Sequence, residues 1–139
     1  MSDAGWCSDR FGALPPTIAD SAFTVTGHDV TVRGFVLDAP ARFEFFIIGG
    51  AALTIESNTI SNAENFGISA AGNASVAVLD NVISDNKFVG MIGLTGASFQ
   101  IGSATGFSPA RPNVLADNTR LGLVLVRNAS AHVIAGNTI

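Results

Sequence analysis

A phrase repeated at a fixed interval constrains this chain more than any other feature. From Leu53 it reads Leu-Thr-Ile-Glu-Ser-Asn-Thr-Ile-Ser-Asn and, further on, Phe-Gly-Ile. From Val76 it reads Val-Ala-Val-Leu-Asp-Asn-Val-Ile-Ser-Asp and then Val-Gly-Met. Asn58 and Asn81, Ile60 and Ile83, and Gly67 and Gly90 are each 23 residues apart. A period of this size marks a solenoid, whose repeats cannot bury their apolar faces alone and must stack on one another.

The repeat extends both ways. From Phe23 the hydrophobic period is two: Phe23 and Val25 alternate with threonines, Gly27-His28-Asp29 turns the chain, and Val30 and Val32 resume. Val30 to Ala52 then forms a first, degenerate coil, with Phe35 where later coils carry Asn and with Phe43, Phe45 and Ile47 expected to point inward. Further coils begin at Leu53, Val76 and Phe99. The phase breaks after Phe99, because Asn113 follows Asn81 by 32 residues and not 23. The nine extra residues fall in the Gly/Pro/Ser-rich stretch from Gly102 to Pro112, an insertion expected on the outside where the core does not feel it. A fifth coil starts near His132 and stops after Ile139, which reads as a fragment of a longer solenoid.

Each coil offers three short apolar strands separated by corners of Asn, Gly, Asp and Ser. Strands this short cannot pair within their own coil, but they can pair with their equivalents one coil above. The result is three parallel sheets rising about 4.8 Å per coil. The expected core is four columns: Leu53/Val76/Phe99/His132, Ile55/Val78/Ile101/Ile134, Ile60/Ile83/Leu115/Ile139 and Phe45/Ile68/Met91/Leu123. A glycine row, Gly67/Gly90/Gly122 with Glu44, is expected to face outward on a small, apolar sheet. Residues 1–22 show neither period; Pro15-Pro16 breaks regular structure, and Trp6 and Phe11 are candidates to cover the first coil. The predicted domain is therefore residues 23–139, preceded by an irregular segment.

The repeated Asn-x-Ile-x-x-Asn/Asp…Gly-Ile phrase resembles the right-handed parallel β-helix repeat of the pectate-lyase-like superfamily, over about residues 23–139. The resemblance implies an all-β, single-stranded, right-handed parallel β-helix of about four coils, and it suggests an extracellular or cell-envelope location. It also implies that Asn58, Asn81, Asn113 and Asn137 form an internal ladder of stacked amides at one corner. The enzymes of the superfamily use clustered Asp with Arg, or Asp pairs with His and Arg-x-Lys. No Asp-Asp, His-Gly or Arg-x-Lys occurs in this sequence.

Other sequence features narrow the chemistry. Net charge is −4 and the six arginines are scattered, so no phosphate-binding surface is expected and nucleic acid is not a predicted partner. No apolar run is long enough to span a membrane, and the N-terminus lacks the basic and apolar regions of a signal peptide. Cys7 is the only cysteine, and two distant histidines complete no zinc set. Asn62, Asp85 and Asp117, with Asp38 at the equivalent place in the first coil, form an acidic column. Its carboxylates either bond the turn backbone or, about 5 Å apart, bind calcium or share a proton.

The candidate binding residues are Asp85, Asp117, Phe107 and Arg111, with no catalytic or metal-ligating residue assigned and calcium as the one cofactor considered. The expected function is a non-catalytic β-helix module, a scaffold or carbohydrate-binding part of a larger protein. The alternative is a polysaccharide-processing lyase, epimerase or hydrolase whose active residues lie largely outside this segment. Expected partners are a polysaccharide and other copies of the chain, meeting through open coil ends or the apolar outer sheet.

Overall fold

The computed structural model describes residues 21–38, 42–103, 111–133 and 137–139. Among the described residues, fourteen strands follow one another with no helix between them. The first coil holds β2 (Val30–Arg33), β3 (Val36–Asp38) and β4 (Phe43–Ile47); the second holds β5 (Ala52–Glu56), β6 (Thr59–Ser61) and β7 (Phe66–Ala70). The third holds β8 (Ser75–Leu79), β9 (Val82–Ser84) and β10 (Val89–Gly93); the fourth holds β11 (Ser98–Ile101), β12 (Val114–Ala116) and β13 (Leu121–Leu125). One strand flanks the stack at each end, β1 (Ser21–Val25) and β14 (Ser130–Val133).

Every strand pairs in parallel with its equivalent one coil away. Sheet A has the order β1-β4-β7-β10-β13, sheet B β2-β5-β8-β11-β14, and sheet C β3-β6-β9-β12. This is a parallel β-solenoid, as the 23-residue period predicts. The register holds Phe23, Phe45, Ile68, Met91 and Leu123 in one column, and Ile60, Ile83 and Leu115 in another. Phe45, Ile55, Ile60, Ile68, Val78, Ile83, Met91 and Ile101 are fully buried. At the first coil the column is closed by rings: Phe23 stacks on Phe45 at 5.1 Å between centroids and meets Phe35 edge-on at 5.7 Å.

Several sequence expectations need correction. Phe99 pairs with Ala131 and Ile101 with Val133, so Ala131 and not His132 continues the first column and Val133 stands in line with Ile101; Ile134 lies outside the described residues. Counting back from Asn137 misplaces the register by one, since Val133 precedes Asn137 by four positions whereas Val78 precedes Asn81 by three. Asp38 stacks on Ser61, one position short of the Asn62 column. Phe43 does not join Phe45 and Ile47 in the core; its ring lies outside, stacked on Phe46 at 5.2 Å and Phe66 at 5.6 Å.

The glycine row faces inward. A Cβ on Gly67 would lie 3.1 Å from the core methyl Cγ2 of Ile83 and 2.8 Å from the carbonyl oxygen of Gly90. Strict alternation along β7 therefore fails at this point, and Glu44, in the same column, is buried. Trp6 and Phe11, the candidate covers for the first coil, and Phe107, a candidate binding residue, lie outside the described residues.

The corner between sheets A and B explains another repeated feature. Two successive residues are left-handed in each coil: Gly49-Gly50, Gly72-Asn73, Thr95-Gly96 and Arg127-Asn128, with φ between 45 and 77°. The second residue's N–H donates to the carbonyl of the first residue one coil on, as from Gly50 to Gly72 at 2.8 Å and from Asn73 to Thr95 at 3.2 Å. Thr95, at φ 45°, is the β-branched member of this row and is strained there. Thr95→Gly is expected to raise the unfolding free energy by about 1 kcal/mol, read as a higher urea midpoint at unchanged slope.

Candidate functional site

The predicted Asn column is a continuous internal ladder. Asn81 Oδ1 accepts from the backbone N–H of Asn58 at 2.9 Å and from Asn58 Nδ2 at 3.1 Å. Asn113 Oδ1 serves Asn81 in the same way at 2.9 and 3.1 Å, and Asn137 Oδ1 serves Asn113 at 2.7 and 3.0 Å. Each Nδ2 also donates to a carbonyl of the coil below: Asn58 to Val32, Asn81 to Ile55, Asn113 to Val78 and Asn137 to Ile101. The ladder ends on the N–H of Phe35, which donates to Asn58 Oδ1 at 2.9 Å. These amides are structural: Asn58, Asn81 and Asn113 are buried.

A second ladder, which sequence reasoning missed, stands at the corner between sheets C and A. Asn86 Nδ2 donates to Asn118 Oδ1 at 2.8 Å, Asn118 Nδ2 to the Ile83 carbonyl at 3.0 Å, and the Ala63 N–H to Asn86 Oδ1 at 3.1 Å. Its signal was the interval of 32 residues from Asn86 to Asn118, the same as from Asn81 to Asn113.

The acidic column is a backbone feature. Asn62, Asp85 and Asp117 have φ of 62, 56 and 53°, the left-handed region that Asn and Asp tolerate best among residues with a side chain. Among the described residues no group of three or more His, Cys, Asp or Glu could hold a metal ion. Asp38 accepts hydrogen bonds from Asn62 Nδ2 and, at 3.0 Å, from Ser61 Oγ; these two bonds, Asn62 first, hold its carboxyl below the usual aspartate range.

Arg111 is placed elsewhere, at the far end of sheet B's outer face. Its Nη1 meets Glu56 Oε2 at 2.9 Å, and Arg33 Nη1 reaches Oε1 of the same carboxylate at 3.5 Å. The Arg111 N–H donates to Ser103 Oγ at 3.0 Å, so the insertion is clipped at its base and tied to the second coil. No spacing argument could have joined residues 55 positions apart, although Arg33 and Glu56 obey the 23-residue period. One coil corner on, Ser57 Oγ donates to Asp80 Oδ2 at 3.0 Å. Towards the start of the same strands lies an open depression of about 310 Å³, lined by Asp29, Thr31, Ala52, Thr54, Ser75 and Ala77 among others. Sheet B's outer face thus carries hydroxyls and a carboxylate over an alanine floor, then an Arg–Glu–Arg cluster. Asp85 and Asp117 belong to a different corner and do not join it.

Arg111, by hydrogen bond first, and Arg33 hold Glu56 below the usual glutamate range. A lowered folded-state pKa means that the stabilisation is complete above the unfolded glutamate value of about 4.3 and is lost as pH falls through the folded value. Glu56→Gln is therefore expected to cost about 0.5–1 kcal/mol at neutral pH, a difference that vanishes in acid below the folded pKa. Urea midpoints of the two proteins across the pH range would show it.

Three parallel sheets, stacked coils and an internal asparagine ladder define the class of parallel β-helix proteins. Residues 17–139 match the family model described as the right handed beta helix region, and the chain belongs to that family. No curated protein and no solved structure matches the chain.

Proposed function

We propose that the chain is a non-catalytic β-helix module, a scaffold that presents the outer face of sheet B to carbohydrate within a larger extracellular or envelope protein. The observation that carries this reading is the use made of the acids. Asp38, Glu56, Glu64 and Asp80 are bonded to side chains of a neighbouring coil or of the insertion. General acid–base chemistry instead needs groups aimed together at one substrate. What the depression on sheet B offers is hydroxyls one coil apart, Thr31 beside Thr54, open to a polyol lying along the helix axis.

Titration with neutral oligosaccharides, followed by amide NMR shifts, tests this. Shifts should concentrate on β2, β5 and β8, and Thr54→Val should weaken binding by about tenfold, the worth of one hydrogen bond left unmade. Cleavage of polygalacturonate by the chain, lost in Asp85→Ala with Asp117→Ala, would overturn the reading in favour of an enzyme.

A further inference from the structure

The outer face of sheet A has a chemistry unlike that of sheet B. Its upper part exposes Phe88 at 38%, Leu121 at 55% and Val126 at 40%, with Ile92, Leu94 and Val124 half-buried among them. Ile92 and Val124 are register partners, so these side chains form one continuous surface over β10 and β13. Arginines bracket it: Arg120 immediately precedes Leu121 and Arg127 immediately follows Val126. Both are exposed, and the Arg120 guanidinium lies over the Phe88 ring, 4.7 Å from its centroid. Among the described residues neither is paired with a carboxylate, whereas Arg33 and Arg111 on sheet B share Glu56. A chain of net charge −4 thus has a basic rim around an apolar patch.

We propose that this face docks an acidic, amphipathic peptide segment of a partner protein. Its apolar side chains would rest on Phe88, Leu121, Val124 and Val126, and its carboxylates would pair with Arg120 and Arg127. Charge complementarity selects the occupant. Arg120 and Arg127 stand just beyond the two ends of β13, a five-residue strand of roughly 17 Å, so a helix of about fifteen residues, roughly 22 Å, reaches both. An anionic bilayer would meet the acidic remainder of the molecule as well as the rim, and is disfavoured by the net charge. A uronate polymer would satisfy the arginines but find no hydrogen-bonding partners on a floor of Phe, Leu, Ile and Val.

The probe is a fluorescein-labelled helical peptide of about fifteen residues, with Leu on one face and Glu near both ends. Its counterpart carries Lys in place of every Glu. Anisotropy should show the Glu peptide binding and the Lys peptide not. Arg120→Glu with Arg127→Glu, both at exposed corners, should weaken binding at least about tenfold while leaving the circular dichroism and the urea midpoint of the fold in place. Raising salt should weaken binding in the unsubstituted protein. No binding of the Glu peptide, equal binding of the two peptides, or indifference to the double substitution would overturn the proposal. Preferential binding of phosphatidylserine vesicles or of polygalacturonate to this face would overturn it too. None of these outcomes bears on sheet B, whose test uses neutral sugars.

Discussion

Asn81→Ala is expected to lower the unfolding free energy by about 3–5 kcal/mol, a large fraction of what a domain of this size holds. Five side-chain hydrogen bonds disappear at once. The N–H of Asn58 loses its acceptor, the Ile55 and Leu79 carbonyls lose a donor, and Asn58 Nδ2 and Asn113 Oδ1 each lose a partner. Each buried group left unmade costs about 1–3 kcal/mol, and the vacated volume adds to this. The isosteric Asn81→Asp separates the two contributions. It fills the space but brings no donor towards Ile55 O and Asn113 Oδ1, so it should destabilise at least as much as alanine, most strongly where the carboxylate is ionised. A stable Asn81→Asp protein at neutral pH would show that shape, and not the amide ladder, holds this corner. The site also matters for cooperativity. In a solenoid each coil touches only its neighbours, so damage at a middle coil weakens both interfaces that join the two ends. Urea unfolding followed by circular dichroism should show the lower midpoint, and a shallower slope would report coils unfolding in stages.

The ladder was legible because in each coil the Asn stands two positions before an aliphatic residue, Ile60, Ile83 and Leu115, even where the insertion lengthens the interval. The second ladder was not, because Ala63 stands where the second coil would continue it and only Asn86 and Asn118 remain. Register was legible wherever the period was intact and slipped where it was not: one extra residue before Asn137 was enough to exchange Ala131 for His132. For the candidate site, the sequence named Arg111 but could not name its partner, since Glu56 stands 55 positions earlier, on the second coil. The acids Asp85 and Asp117 were visible as a column. Their left-handed backbone, which accounts for the residue type, is a property of the corner that spacing alone does not reveal.

The inward-facing glycine row carries the second large effect. Gly90→Ala is expected to cost about 2–3 kcal/mol. The added Cβ would sit 2.8 Å from the Gly122 carbonyl oxygen and 2.8 Å from Asn118 Nδ2. Gly90 is not in the left-handed region, so the penalty is steric and does not come from its φ. The neighbours cannot give way cheaply. One is the backbone of a paired strand, and the other is the amide that donates to the Ile83 carbonyl at 3.0 Å. Accommodation would therefore part β10 from β13 or dislodge the second ladder, and either should speed amide exchange in β13. Gly27→Ala is the control. There a Cβ would meet only Val30 Cγ2 at 3.8 Å, ordinary contact, and the urea midpoint should correspond to a change within about 0.5 kcal/mol. If Gly90→Ala proved as harmless as Gly27→Ala, the row would have to face outward after all. The close approach of successive coils at that corner would then need another cause.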